Sequence, residues 1–347
     1  MMEARLYTKL DSAQVQCDLC AHHCRIAPGH RGRCGVRENV DGTLVSRVYG
    51  RLVSTAVDPI EKKPLYHVLP GSRALSIATV GCNLRCQFCQ NSEISQWPRE
   101  HDTIPGRYAP PEAVVEAAQQ HDCASIAYTY TEPTVYYETT VDIGAQAQAA
   151  GILNLYISNG YMSREMLDTV CGPDQPPLID AANIDLKAFR DAFYRQYCGA
   201  SLQPVLDNLR TMVRNGIWVE VTTLVIPGLN DSPEELGEIA AFIAEEMGVD
   251  TPWHVSRFHP TYQMLDRPPT PAATVLRARE IGLAAGLRYV YPGNIPGSDA
   301  EDTRCPNCGA LLVERRGFSA RVMRLEGSTC AECGHRIAGI WQRCSQT

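Results

Sequence analysis

Eleven of the fifteen cysteines fall into three groups whose spacing suits metal or cluster ligation. The last group, Cys305, Cys308, Cys330 and Cys333, sits in CPNCG and CAECG, tight glycine turns whose backbone N–H groups can bond thiolate sulfur. Four thiolates close a tetrahedron and leave no open position, so a structural zinc ribbon is expected, with iron held as in rubredoxin as the alternative. The first group, Cys17, Cys20, Cys24 and Cys34, also offers four thiols, with His22 and His23 nearby, but its spacing is less regular. Structural zinc is expected there, ahead of an auxiliary iron–sulfur cluster. The middle group, Cys82, Cys86 and Cys89 in GCNLRCQFCQN, has only three thiols, and the next cysteine, Cys123, lies 34 residues on. Three thiolates suit three irons of a [4Fe–4S] cluster and leave the fourth iron open to a ligand. The alternative is a zinc site lacking its fourth ligand. Cys123, Cys171, Cys198 and Cys344 remain, and are expected as small buried apolar side chains.

Such groups need elements to position them. The chain has 347 residues, 44% hydrophobic and 20% charged, with a net charge of −7. That is enough for one large core with small accessory modules. No run of eighteen apolar residues is present and the first residues lack the apolar segment of a secretory signal, so a cytoplasmic protein with reduced thiols is expected, and no membrane partner. Residues 1–73 carry a net charge of +4, residues 74–299 of −13 and residues 300–347 of +2, so basic ends flank an acidic body. Solvated surface charge is the plainer reading of those ends; docking on a polyanion or on another part of the same chain is the alternative. Only four of the 32 basic residues are Lys: Lys9, Lys62, Lys63 and Lys187.

Strand-like runs at 74–81, 125–131, 155–159, 182–187, 218–226, 253–259 and 288–291 alternate with helix-like stretches such as 111–120, 202–216 and 233–248. Alternation of this kind implies a parallel sheet, open or closed into a barrel. No GxGxxG follows the first strand and no GxxxxGK[ST] occurs, which argues against dinucleotide and P-loop sites. The three-cysteine loop directly follows the first core strand, where β/α proteins gather their catalytic loops.

With Phe88 before its last cysteine and a strand upstream, this loop resembles that of the radical S-adenosylmethionine (SAM) superfamily. The resemblance implies that the amino and carboxylate groups of SAM chelate the open iron, and that one-electron cleavage of SAM gives methionine and a 5′-deoxyadenosyl radical. Thr129-Tyr-Thr-Glu-Pro133 stands where such enzymes usually have Gly-Gly-Glu-Pro, Ser158-Asn159-Gly160 resembles a ribose- and carboxylate-contacting turn, and Asp185-Leu-Lys187 resembles the Asp-x-Lys of glycyl-radical activating enzymes. SAM contacts are therefore implied for Phe88, Thr131, Glu132, Ser158, Asn159, Asp185, Lys187 and His254, with Lys187 and the three cysteines catalytic. Strand alternation puts Asp185 and Lys187 on one face. CDLCAHHCRIAPGHRGRCGVREN, DPIEKKPLYHVLPGS, NIDLKAF, TTLVIPGLND, PWHVSRFHP and YVYPGN are similar to the AmmeMemoRadiSam-system radical SAM enzyme.

That resemblance implies a partial (β/α)6-type barrel over 74–297, a Cys-rich module over 1–73 and a zinc ribbon over 298–347. It also implies AMMECR-type and Memo-type partners and an electron donor of flavodoxin or ferredoxin type. His67, His254 and His259 lie in these motifs, as candidate contacts or structural histidines. Trp253, Tyr289 and Tyr291 are expected in the core or a pocket wall. Two other functions compete: a glycyl-radical activase, and a non-enzymatic zinc-ribbon protein binding RNA or protein through Arg25, Arg31, Arg33 and Arg37. On the enzyme reading the same patch suits a nucleic-acid or protein substrate.

Overall fold

The structure, a computed structural model, describes residues 1–172, 176–295 and 299–342. Cys344 and the boundary expected at 297/298 lie outside the described residues.

The body is an eight-stranded sheet: β1 (Ser54–Pro59), β2 (Arg73–Ala78), β3 (Ser125–Tyr128), β4 (Leu153–Ser158), β5 (Ala181–Asp185), β6 (Trp218–Val225), β7 (Trp253–Arg257) and β8 (Val290–Gly293). Strands β2 to β8 are parallel and lie in chain order, while β1 adds to the β2 edge antiparallel. Chain order without reversal excludes a doubly wound sheet, whose order reverses at a switch point. The seven expected strands all appear. Strand β1 was not expected, and it places the start of the sheet inside the segment assigned to the N-terminal module. Every residue of β3 is buried and most of β4 and β5, as befits parallel strands covered on both faces.

The crossover helices include α1 (Pro111–Gln120), α2 (Tyr137–Ala149), α3 (Arg164–Cys171), α4 (Gln203–Arg214), α5 (Pro233–Phe242) and α6 (Ala272–Ala284). Their starts follow capping physics: the Ser163 side chain accepts from Met166 N, the Ser232 side chain from Glu235 N, and α1 and α5 begin at proline. Helix α5 runs on into a π-helical turn, Ile243–Met247, so the expected 233–248 helix changes winding before its end.

Two small modules flank the sheet. Residues 1–46 form two three-stranded antiparallel sheets from strands of two to four residues. Residues 303–322 form a three-stranded antiparallel sheet, followed by the hairpin Leu325–Glu326/Thr329–Cys330. The C-terminal segment is tied to the body by Leu69 N donating to Ile340 O (2.8 Å) and Ile340 N to His67 O (2.8 Å).

Candidate active site

The loops after β2 to β5, side chains of β6 and β7, the end of β8 and residues 61–66 enclose a cleft of about 420 Å³. Cys82, Cys86, Phe88, Cys89, Thr131, Glu132, Ser158, Asn159, Asp185, Lys187 and His254 all line it. The structure therefore brings together every residue of the central site expected from the sequence. Sheet register explains part of this, since Asp185 lies beside Thr222 and Thr222 beside His254, one row across β5, β6 and β7.

The three-cysteine loop is held from outside itself. Arg85 N donates to Cys198 O (2.8 Å) and Gln87 N to Tyr197 O (2.9 Å). Arg99 reaches across to Cys82 O (2.7 Å), Leu84 O (3.0 Å) and Arg33 O (2.9 Å), clamping the loop to the N-terminal module. Asn83 donates to Tyr161 O (3.1 Å) and accepts from Asn159 Nδ2 (2.8 Å), which ties the loop to the turn after β4. Burial pushes the thiol pKa values of Cys82 and Cys89 up; that of Cys86 rises first through contact with the Cys198 thiol and then through burial. Cys198, expected as core filler, thus packs directly on Cys86.

Glu132 is buried and accepts four bonds. Its Oε1 takes Thr134 N (3.0 Å), Thr134 Oγ1 (2.6 Å) and Ser158 Oγ (2.8 Å), and its Oε2 takes Asn159 N (2.9 Å). The carboxylate fixes the 158–160 turn, and only Oε2 retains capacity for another donor. Lys187 Nζ bonds Asp185 Oδ2 (2.7 Å) and lies 5.9 Å from the Phe88 ring centroid. The two side chains do share a face, and the ammonium is paired rather than isolated.

Three of the chain's four lysines line this cleft, Lys62 and Lys63 beside Lys187. Asp58 holds both, Oδ1 to Lys62 Nζ (2.8 Å) and Oδ2 to Lys63 Nζ (2.7 Å), and also accepts from Tyr130 OH. The carboxyl pKa of Asp58 falls well below the usual range because these donors outweigh its burial. Glu61, Tyr66, Glu301 and Phe318 complete the far end. The scarcity of lysine marks Lys62 and Lys63 in the sequence, whereas sequence reasoning missed Asp58, Glu61, Tyr66, Glu301 and Phe318. It also missed Glu220, fully buried, which accepts from Tyr66 N (2.9 Å), His67 N (2.8 Å), Trp218 Nε1 (3.1 Å) and His254 Nε2 (2.6 Å).

Other expectations resolve plainly. His67 is buried under the cleft, bonded to Ala338 O and Tyr291 OH, while His259 is exposed and outside it. Trp253, Tyr289 and Tyr291 are core residues. Arg37 is not part of a surface patch: it is 1% exposed and paired with Glu138, so the basic face proposed for RNA or protein loses one of its four arginines to the interior. Arg33 is partly engaged too, donating to Gly199 O (3.1 Å).

The C-terminal cysteines converge on a point, with Cys305 and Cys333 sulfurs 3.6 Å apart and Cys308 and Cys330 sulfurs 3.7 Å apart. Four thiolates at 2.3 Å around one tetrahedral ion stand about 3.8 Å from one another. The donor set therefore fits a single metal ion. Among the described residues it is the only group of three or more Cys, His, Asp or Glu ligand atoms all within 4.8 Å of one another. No helix among them is long and apolar enough to cross a membrane.

A family model described as the radical SAM superfamily matches residues 76–243. The chain is 47% identical over 339 residues to an uncharacterized protein of Methanocaldococcus jannaschii, covering 97% of this chain and 99% of that relative. It is 23% identical over 216 residues to a protein of the same organism named "Putative glycyl-radical enzyme activating enzyme", covering 61% and 78%. The fold is similar to that of Streptococcus suis SuiB bound to S-adenosylmethionine, at a TM-score of 0.51 and 12% identity over 71% of this chain and 56% of that one. On the cysteine loop, the parallel sheet and the family match together, the chain belongs to the radical SAM superfamily and is a radical SAM enzyme.

Proposed function

We propose that the chain holds a [4Fe–4S] cluster on Cys82, Cys86 and Cys89 and SAM beside it, and makes a radical on a substrate bound at the far end of the same cleft. The observation that carries this reading is the meeting of the three thiols, the Glu132-held turn and the Asp185–Lys187 pair in one cleft. When bound, the two cofactors supply one-electron cleavage of SAM to methionine and a 5′-deoxyadenosyl radical that takes hydrogen from a substrate. The chain's own part is positional. Arg99 and Asn83 fix the loop; Glu132 presents the Ser158–Asn159 turn; Lys187 offers its remaining ammonium protons to a carboxylate; Phe88 covers that ammonium.

The unreversed strand order supports a partial (β/α)6-type barrel around the site. The resemblance of the flanking motifs supports work alongside AMMECR-type and Memo-type proteins in the cytoplasm, with electrons from a flavodoxin- or ferredoxin-type donor. The C-terminal four-cysteine set suits zinc in a structural role. A second reading, activation of a glycyl-radical enzyme, is favoured by the relative of that name and by the Asp-x-Lys pair. A partner polypeptide that acquires a glycyl radical signal on mixing would select it.

The test is anaerobic reconstitution with a reductant. The protein should release 5′-deoxyadenosine and methionine from SAM, and replacing any one of Cys82, Cys86 or Cys89 by Ala should remove most of that release. Undiminished turnover in the triple Ala variant would refute the assignment.

A further inference from the structure

The N-terminal cysteines behave differently from the C-terminal ones. Cys17, Cys20, Cys24 and Cys34 line a single, largely enclosed cavity, yet no three of their sulfurs lie within 4.8 Å of one another. The ribbon sulfurs of the same molecule do. One ion draws four thiolates to a common point and needs no cavity between them. Thiolates on four different irons at the corners of a cubane stand further apart and enclose the cube. In this respect the N-terminal set matches Cys82, Cys86 and Cys89, which also fail to converge.

A second observation points into the same cavity. Arg37 lines it, 1% exposed, with Nη2 donating to Arg5 O (2.9 Å) and to Glu138, while Nε and Nη1 have no hydrogen-bond partner. Two buried guanidinium donors left unpaired are costly unless an acceptor belongs there. Sulfide and thiolate sulfur of a cluster with net negative charge would take both bonds.

The cavity also adjoins the SAM site. Asn83, next to Cys82, lines it, as does Thr134, whose N and Oγ1 bond Glu132. His22 lines it as well and bonds Asn83 O (2.9 Å).

We propose that Cys17, Cys20, Cys24 and Cys34 hold an auxiliary iron–sulfur cluster of the [4Fe–4S] class, with Arg37 donating to it, in place of the structural zinc expected from the sequence. With all four irons ligated by thiolate, it has no open position for SAM.

The Cys82→Ala/Cys86→Ala/Cys89→Ala triple variant separates this proposal from the function proposed above. Reconstituted anaerobically, it should keep about four iron and four sulfide with one zinc per chain, and give a cluster signal in electron paramagnetic resonance after dithionite. Adding Cys17→Ala and Cys20→Ala should remove that iron. An iron-free triple variant holding about two zinc would overturn the proposal while leaving the SAM reading untouched. Conversely, the Cys17→Ala/Cys20→Ala variant alone should retain the other cluster's iron. For Arg37, replacement by Met in the triple variant should keep the iron and lower the cluster's midpoint potential. Should the Met variant not fold, Arg37→Lys serves, with a smaller shift in the same direction. An unchanged potential in the folded variant would remove Arg37 from the site.

Discussion

Lys187 is the residue whose chemistry is most exposed to test. Burial alone would lower its pKa, but Asp185 at 2.7 Å and then the sulfur of Cys86 reverse the balance, so the pKa is raised and the ammonium stays charged. A charge-assisted bond from it to a ligand carboxylate is worth roughly 1.5–3 kcal/mol. Lys187→Ala should therefore weaken SAM binding roughly 10- to 150-fold by equilibrium dialysis. Lys187→Arg should fall between, because a planar fork replaces a compact ammonium beside Phe88. An unaltered dissociation constant in a folded Ala variant would refute the contact. Glu132 makes a different prediction, since all four of its partners are donors. Glu132→Gln turns an amide N–H toward one of them and should cost about 2 kcal/mol in denaturant unfolding. If the variant unfolds like the parent, Glu132 does not hold the turn. At this scale the sequence was informative where residues cluster by spacing, as in the cysteine loop and Asp185–Lys187. It was silent on Glu220, whose partners Tyr66 and His67 lie more than 150 residues away and meet it only through the sheet.

Among the elements, legibility followed length and burial. Strands β2 to β8 announced themselves because buried parallel strands are apolar runs bounded by turns. Strand β1 escaped because it is an edge: STAVDP alternates in burial, ends in proline and runs into the charged EKKP turn. The N-terminal strands, two to four residues long, are too short to show a period. The segment from Lys63 to Leu69 is likewise irregular, yet it joins the sheet to the C-terminal module through His67. That ring is fully buried; burial lowers its pKa to about 4, against a smaller raising effect of Glu220. In the unfolded chain it takes a proton near pH 6.5. Above that pH both states are neutral and nothing is lost; as pH falls from 6.5 toward 4 the unfolded state gains the proton first, so stability drops. The full loss is on the order of 3 kcal/mol. His67→Gln should flatten this part of the stability–pH curve in chemical unfolding at pH 7, 6, 5 and 4. A slope equal to that of the parent would show that another group carries it.

For the whole molecule, the uneven charge finds partners within the chain. Arg5 pairs with Asp142 (2.8 Å) and Arg37 with Glu138, both acids on α2, so the basic N-terminal module docks on the acidic body. The C-terminal module docks through one buried cation. Arg315, 1% exposed, donates to Glu301 O (3.0 Å), Thr303 Oγ1 (2.7 Å) and Tyr66 O (2.6 Å) and lies 4.1 Å from the Tyr66 ring centroid. This docking carries Glu301 and Phe318 to the far wall of the cleft, so the module shapes the site as well as presenting a four-cysteine set that fits a metal ion. Removing the guanidinium would leave Tyr66 O without this buried donor and the Tyr66 ring without its stacked cation, a bond to a charged group being worth roughly 1.5–3 kcal/mol. Arg315→Met should leave the three-stranded sheet of residues 303–322 folded but loosen its seat. Hydrogen exchange should then quicken at residues 64–68 and 303–316 while β3 to β5 keep their protection and the SAM dissociation constant stays within twofold. Equal protection at 64–68 in the parent and the variant would mean that the seat is held by the Leu69–Ile340 strand contact instead.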